Sequence, residues 1–440
     1  MEATVRAEKS QLTLVSNRTR PQQAARMAPT PIYEEDRVIP AQGPPMASPD
    51  LAGGTCQGGR SETPARLLSS VLPDAGAIER ARQRLHRKAA AILLLDLFSY
   101  AVLVIGDVPL WARVLAALVL VHALIATATG IMHDANHGSF SAHRRVNQLA
   151  SYSADLLGAS SLLWRFQHND LHHRHTNVEG VDADIDQAPF ARLSPSQTWK
   201  PWHRYQHHYL WLLYGFLTLQ WFLVSDIVVL RRGGMGRQKL RHTPSRADVA
   251  RLVLGKIMHA TWAIAIPMMF RPALVVVVWY LACSWLVGFG LAVIFQLAHC
   301  VDAAEFVSSD GRWRGDDLVR HQLRTTVDVR VSGPLRRAWL AFLAGGLEYQ
   351  VAHHLAPRVP HTLYRAKSER VSAMCATNGL SYRVHLGLPA ALASHHRWLR
   401  TMGLRPATGQ LGHDLGQPCL NIGRRHRRHN QAPPGHRASI

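Results

Sequence analysis

The chain has 440 residues, of which 47% are hydrophobic, enough for one large domain or two ordinary ones. Its formal net charge of +21 is a balance often found in nucleic-acid-binding proteins. The arginines, however, stand beside long apolar segments and in the polar ends of the chain, which is typical of membrane proteins. The five cysteines form no CxxC pair and do not indicate a disulfide framework. We therefore expect a membrane protein that faces a reducing compartment and binds no nucleic acid.

Composition divides the chain into three regions. Residues 1–75 and 401–440 are polar, rich in Pro, Gly and Arg, and without hydrophobic periodicity. Such segments cannot bury enough apolar surface to offset the entropy of ordering, so we expect two disordered tails, the second of them basic. Residues 76–400 form the predicted membrane domain.

Four apolar runs in this domain have roughly the length of a bilayer crossing, about 20 residues. They are joined in pairs by short turns and are, in chain order, Ala89–Ile105, Leu110–Met132, Leu252–Phe270 and Ala273–Leu297. A basic segment precedes each pair and should remain in the cytoplasm. The sequence therefore predicts an all-α integral membrane fold with four transmembrane helices in two hairpins and with both termini cytoplasmic.

Eight histidines stand at the ends of apolar runs. They form the clusters HDANH (His133, His137), HNDLHH (His168, His172, His173) and QVAHH (His353, His354), with His299 alone in QLAHC. Histidines four residues apart, as in the first two clusters, can lie on one face of a helix. Imidazole binds iron, copper, zinc and nickel. Because eight ligands exceed what a single tetrahedral zinc takes, the count indicates two metal ions.

Two further apolar stretches are Leu149–Trp164 and Tyr209–Leu230. If one of them crossed the membrane alone, the histidine clusters would face opposite sides, which a single metal site forbids. We therefore expect both to lie at the interface or on a cytoplasmic cap. A fifth span at Tyr209–Leu230 is the alternative.

Other candidate residues have simpler explanations. We expect His122 to be a neutral histidine packed within a span. We expect surface histidines at His175, His203, His207, His208, His361, His395 and His396. Four aromatic residues could line the entrance to the cap or form an interfacial aromatic belt: Trp164, Trp199, Trp202 and Tyr205. Two roles are open for Asp182, Asp184 and Asp186: they contact a lipid headgroup or a ligand histidine, or they form a solvated acidic loop.

The motifs of several other enzyme classes are absent from the sequence. No Glu is followed three residues later by His, as carboxylate di-iron bundles require. No HExxH zinc-protease helix and no P-loop occur. The G-x-S-x-G nucleophile elbow is missing as well.

The three histidine clusters resemble the membrane-bound fatty acid desaturase family, whose boxes have the forms HX3–4H, HX2–3HH and (H/Q)X2HH. The stretches HTNVEGVDADID, HQLRTTVDV and VAHHLAPRVPH are similar to its acyl-CoA and acyl-lipid branch. This resemblance covers about residues 80–390. It implies four transmembrane helices under a cytoplasmic helical cap, with two iron ions in a non-haem di-iron site.

Carried over position by position, the resemblance implies the iron ligands His133, His137, His168, His172, His173, His299, His353 and His354. Gln350 stands where other branches have a ninth histidine, and either approaches the metal or positions a water. Asp182 is a possible partner of a ligand histidine. Ala352 occupies the place of an acidic residue in the usual third box, QIEHHLFP.

The resemblance also implies the reaction. With O2 as co-substrate, two hydrogens leave adjacent methylenes of an acyl chain carried by CoA, a carrier protein or a lipid. The sequence has no HPGG haem-binding motif, so we expect an external electron donor such as ferredoxin or cytochrome b5 with a reductase. A hydroxylase or ketolase of the same superfamily and a catalytically degenerate relative are the alternatives.

Overall fold

The computed structural model describes residues 68–69, 71–240, 242–309 and 318–406. All of them fall within one compact unit, Ser61–Ile440. The predicted tails, 1–75 and 401–440, lie mostly outside the described residues. Within the first of these regions, Leu68 and Val71 are buried in an apolar cluster that includes Val351.

Two long helices form the first hairpin. Helix α1 spans Ala75–Val104, and Asp74 caps its start by accepting a hydrogen bond from the backbone N–H of Ala77 at 2.7 Å. Helix α2 spans Leu110–Asn136 and packs along α1. Its apolar run is uninterrupted, but its last two turns include a π-helical segment, Thr127–Met132.

Short helices follow before the second hairpin. They are α3 (Arg144–Ser151), α4 (Ser153–Leu156), α5 (Ser161–Arg165, continued by the π turn Phe166–His172), α6 (Pro201–Tyr214) and α7 (Leu217–Arg232). Helices α6 and α7 are joined by a bend of 74°. Strands β1 (Gly234–Met235) and β2 (Gln238–Lys239) then pair antiparallel.

The second hairpin consists of α8, Arg246–Met268, and α9, Ala273–His299. Ser245 and Asp248 form a capping box at the start of α8. The bend between α6 and α7 lies against α9, because a Cβ atom placed on Gly288 would come within 2.6 Å of the Gly215 carbonyl oxygen. The two backbones can approach this closely because both positions are glycine.

The remaining elements surround the end of α9. They are α10 (Leu318–Thr325), β3 (Asp328–Arg330), α11 (Pro334–Leu343), α12 (Gln350–Leu355), α13 (Tyr364–Thr377), β4 (Val384–Leu386) and α14 (Leu388–Gly403). Strands β3 and β4 pair in parallel, with Asp328 opposite Val384. The described fold is thus mostly helical, as predicted, with two very short sheets.

Three described helices are long and apolar enough to cross a membrane, namely α2, α8 and α9, and the α6–α7 pair would be a fourth if it counts as one broken span. These three contain the predicted spans Leu110–Met132 and Ala273–Leu297 in full and most of Leu252–Phe270. The predicted span Ala89–Ile105 lies in α1, whose last 18 residues include three charged side chains, Arg87, Lys88 and Asp96. The protein is a membrane protein with three or four apolar helices.

The backbone of Gly345, five residues before the third histidine box, packs against helix α2 of the first hairpin. It has φ = +58°, and a Cβ atom there would lie 2.4 Å from the Thr129 carbonyl oxygen of α2. Gly379 has a similar φ of +63°, with nothing within 4 Å of its Cβ position. The backbone at 345 therefore needs glycine for two reasons, and the backbone at 379 for one.

We expect Gly345→Ala to destabilise the protein by about 1–3 kcal/mol more than Gly379→Ala does, because only the first substitution also overpacks a helix contact. Thermal unfolding of the detergent-solubilised variants measures the difference. Equal midpoints would show that the contact with Thr129 is not needed.

Candidate metal centre

The structure brings all eight predicted histidines into one buried cluster. None of their side chains is more than 8% exposed. They come from four elements: the end of α2, the π turn after α5, the last residue of α9, and α12. The cluster therefore joins both hairpins to the segment that follows them.

The histidines divide into two main groups. In the first group the nitrogen atoms of four rings lie within 4.8 Å of one another: His133, His137, His168 and His353. The second group, with the same spacing, contains His172, His299 and His354. His173 forms a third, overlapping group with His353 and His354, so that it lies between the other two. This arrangement offers separate donor sets for two metal ions.

A π turn decides which histidine of the second box belongs to which group. The backbone N–H of His173 donates to the carbonyl of His168, five residues earlier, at 2.9 Å. The wider turn brings His168 and His173 to the same side, with their Nε2 atoms 3.2 Å apart. Such π turns occur frequently at functional sites. His168 and His172, four residues apart, also lie on one side as the sequence predicted, because their ring nitrogens lie within 4.8 Å of each other and of Asp184.

Several ring orientations are set by partners on Nδ1. His172 Nδ1–H donates to Asp182 at 3.1 Å, and that carboxylate also accepts the backbone N–H of Asn177 at 2.8 Å. His353 Nδ1–H donates to the Tyr364 hydroxyl at 2.9 Å. With Nδ1 engaged, Nε2 of each ring is left as the metal-binding atom.

Gln322 and Thr176 fix the orientation of the His354 ring through its Nδ1 atom. His354 Nδ1–H donates to Gln322 Oε1 at 2.9 Å, and the Gln322 amide nitrogen donates to the His173 carbonyl at 2.7 Å. The Thr176 hydroxyl lies 3.2 Å from the same Nδ1 atom. One glutamine thus connects α10 to two of the histidine boxes.

The cluster contains buried nitrogen atoms with no hydrogen-bond partner in the described part of the chain. They are the Nε2 atoms of His133, His137, His353 and His354 and the Nδ1 atoms of His133 and His173. Buried polar atoms nearly always have a partner, since leaving one unsatisfied costs about 1–3 kcal/mol. Six such atoms in one cluster fit bound metal.

The electrostatics favour the neutral form of several rings in the cluster, whereas those of His172 favour its protonated form. Burial, followed by the neighbouring histidines, lowers the pKa well below its usual value at His168, His173, His353 and His354. Burial also acts against a charge on His172, but the attraction of Asp182 and Asp184 raises its pKa to about 9. Neutral imidazole is the form that binds metal, so a metal ion at His172 replaces a proton there.

Gln350 contacts the cluster from α12. Its amide nitrogen donates to His299 Nε2 at 3.0 Å, and its amide oxygen is buried without a hydrogen-bond partner among the residues described. His299 Nδ1 lies 3.5 Å from the Thr325 carbonyl oxygen. Gln350 is therefore positioned beside the second histidine group.

Three residues beside the cluster were not singled out from the sequence as parts of the site. Tyr364 and Gln322 fall in or next to stretches that resemble the desaturase family, which was the available signal. Asp134 accepts two hydrogen bonds at 3.0 Å from His361, one from the backbone and one from Nδ1. Trp164 is buried, and its ring stacks on His168 at a centroid distance of 4.2 Å, so it does not belong to an interfacial belt.

The prediction of surface histidines was wrong at three positions. His203, His361 and His395 are at most 5% exposed. Each ring satisfies polar groups that the fold buries; for example, His395 lies 2.6 Å from the Cys300 carbonyl oxygen and 2.8 Å from the Tyr214 hydroxyl. Sequence spacing carries no information about such long-range partners. His122 is half-buried and hydrogen-bonds to the Leu118 carbonyl in its own helix.

Comparison with known proteins identifies the family to which this chain belongs. Residues 109–385, which include all eight histidines, match the family model described as fatty acid desaturase. An sn-1 linoleoyl-lipid 6-desaturase of Arthrospira platensis is 31% identical over 347 residues, covering 78% of this chain and 92% of the relative. A protein of the same description from Synechocystis sp. is 31% identical, covering 76% and 93%. An acyl-lipid (8-3)-desaturase of Physcomitrium patens is 32% identical, covering 72% and 64%.

The fold and the site define a membrane protein with a buried cluster of histidines that could hold metal ions. The chain belongs to the fatty acid desaturase family. It is therefore an oxidoreductase that acts on fatty acyl chains.

Asp182→Asn should lower metal affinity by about 10- to 100-fold, because the variant keeps the shape of the side chain but loses the charge that orients His172. Metal per purified chain, measured by inductively coupled plasma mass spectrometry during chelator titration, tests this. Asp186→Asn is the matched control, since Asp186 is exposed on the same loop. Equal metal retention in the two variants would contradict the role of Asp182.

Proposed function

We propose that this protein introduces a carbon–carbon double bond into the acyl chain of a membrane lipid at a di-iron centre held by the eight histidines. The observation that carries the proposal is the set of buried, unpaired Nε2 atoms in two adjoining groups of rings. The Arthrospira and Synechocystis relatives are named for a lipid-linked acyl substrate, which supports a lipid as the acyl carrier.

Iron fits the donor set better than zinc. Zinc has no redox chemistry, whereas imidazole also binds iron, which can react with oxygen. Two iron ions bound here would supply the oxygen-dependent oxidation that removes hydrogens from unactivated methylenes.

The chain's own residues position the reaction and exclude water. Asp182, Tyr364 and Gln322 hold three rings in fixed orientations, so little reorganisation is needed when substrate binds. The rings are almost fully buried, and Trp164 covers His168. A closed apolar environment of this kind keeps water away from reactive species.

Electrons come from a separate donor, for which ferredoxin or cytochrome b5 with a reductase is the expected class. Each double bond removes two hydrogens from the acyl chain. These two hydrogens, together with two electrons and two protons from the donor side, reduce one O2 to two molecules of water.

The proposed topology has an even number of crossings. His133 follows the apolar run of α2 and His299 ends α9, so the ends of these helices that carry the cluster lie on one membrane face. If α1–α2 and α8–α9 are both transmembrane hairpins, the α6–α7 pair begins and ends on that same face. The basic segments before α1 and α8 make this face, and with it both termini, cytoplasmic.

An apolar cavity of about 120 Å³ between the hairpins is the proposed acyl site. Its walls include Leu124, Leu157 and Val287, and the last two belong to the same packed cluster as Trp164. A chain that passes Trp164 therefore reaches both the histidines and the cavity. The depth of this cavity would then limit the length of the acyl chain that extends beyond the reaction point.

His172→Ala should abolish the unsaturated product while the protein still inserts into membranes, because the variant removes a ring from the second group. Expression in a host with defined lipids, followed by mass spectrometry of fatty acid methyl esters, provides the measurement. The exposed His208→Ala is the matched control and should keep wild-type product. Normal product from His172→Ala would refute the ligand assignment.

The same measurement separates desaturation from hydroxylation. A product lighter by two hydrogens supports the proposed function. A product heavier by one oxygen would replace it with a hydroxylase.

Cys283→Trp should reduce turnover of C18 acyl chains far more than turnover of C14 chains, because the added ring occupies the apolar cavity. Leu286→Trp is the matched control, since Leu286 lies on the same helix with 37% of its surface exposed and does not line the cavity. Competition between the two chain lengths, followed by mass spectrometry, gives the ratio. An unchanged ratio in Cys283→Trp would exclude the cavity as the acyl site.

A further inference from the structure

A second, open cavity of about 510 Å³ is lined in part by the residues just before and just after the third histidine box. Helices α1 and α11 and the segments 346–349 and 361–365 form its walls. Four cationic side chains line it: Arg84, Lys88, Arg337 and Arg365. We call it the basic cavity.

The positive charge of the basic cavity is largely uncompensated. Across the described ranges, Arg84 and Arg337 have neither an ion pair nor a side-chain hydrogen bond. Lys88 Nζ donates to the Ala341 carbonyl at 2.7 Å and to His361 Nε2 at 3.0 Å, which leaves its third N–H for a ligand. Arg365 pairs with Glu369, but both side chains are well exposed and such pairs are weak.

Glu348 is the one carboxylate among the lining residues. Its side chain is 7% exposed, and its Oε2 atom is buried with no hydrogen-bond partner in the described chain. A ligand with hydroxyl groups beside its negative charge would supply the missing donor.

The basic cavity lies at the level of lipid headgroups. On α11, Leu335 and Trp339 are four residues apart and 84% and 48% exposed, so they form an apolar face that suits the membrane interface. Lys88 directly precedes the predicted span Ala89–Ile105. Two separate elements of the wall therefore mark the surface of the bilayer.

The same cavity adjoins the metal centre. His361 forms part of its wall and donates two hydrogen bonds to Asp134, the residue after His133. Tyr349, also in the wall, directly precedes Gln350. A lipid whose headgroup lies here has its acyl ester close to the histidine cluster.

We propose that the basic cavity binds the phosphate of the lipid whose acyl chain is desaturated, and that the preferred substrate is therefore a phospholipid with a hydroxyl-bearing headgroup. The proposal rests on the proposed desaturase function and adds the chemistry of the headgroup. A neutral glycolipid would bring no anion to Arg84, Lys88 and Arg337. The phosphates of coenzyme A share this chemistry, but the apolar face of α11 beside the cavity favours a ligand held in the bilayer.

The test uses the full-length protein purified in detergent and two short-chain probes of equal acyl length, dihexanoyl phosphatidylglycerol and the neutral dihexanoyl galactosyl diacylglycerol. Isothermal titration calorimetry should show that the phospholipid binds more tightly. Arg84→Gln with Arg337→Gln removes two charged donors to the phosphate, so it should weaken phospholipid binding at least about tenfold. Arg336→Gln is the matched control, because Arg336 is exposed on the same helix outside the cavity.

Equal binding of the two probes, or equal affinity in the double variant and the control, would overturn the proposal. Binding of coenzyme A that exceeds phosphatidylglycerol binding and depends on the same arginines would overturn the lipid assignment. Double-bond formation by the wild-type chain in the expression host is measured separately. Its absence refutes the proposed function, whereas desaturation with equal probe binding refutes only the basic cavity as a phosphate site.

Discussion

The burial of eight imidazoles in one cluster is the constraint on which the rest of the structure depends. Burial disfavours protonation of nearly all of these rings, and four Nε2 atoms have no partner in the described residues. A protein cannot leave so many lone pairs unsatisfied without cost, so the cluster fits bound cations. The four elements that carry the rings meet at this cluster.

Hydrogen bonds behind the rings convert the cluster into a defined site. Asp182, Tyr364 and Gln322 each engage one Nδ1 atom and leave Nε2 directed at the centre. Gln322 and Tyr364 belong to α10 and α13, on either side of the third box in the chain, so these two helices are also parts of the site. Within the third box, the Ala352 carbonyl accepts a hydrogen bond at 2.8 Å from the buried side-chain nitrogen of Lys367 in α13.

The two cavities indicate how the proposed substrate would lie relative to the histidine cluster. The apolar cavity lies between the hairpins, where a hydrocarbon chain is compatible with its walls. The basic cavity is open and lined by four cationic side chains, which remain hydrated until a ligand replaces the water. A molecule that is apolar at one end and anionic at the other matches both environments, and an acyl phospholipid has that form.

The sequence alone determined the class of the fold and the residues of the cluster. Long apolar runs require a membrane or a large core, and the histidine boxes at their ends are visible in the order of residues. It could not determine which histidines share a group, because a π turn places His173 beside His168. Nor could it show that His361 and His395 are buried, or that Gln322 holds His354, since those partners are far apart in the chain. Tertiary structure decided these features because ring orientation and burial depend on long-range packing, which residue spacing does not encode.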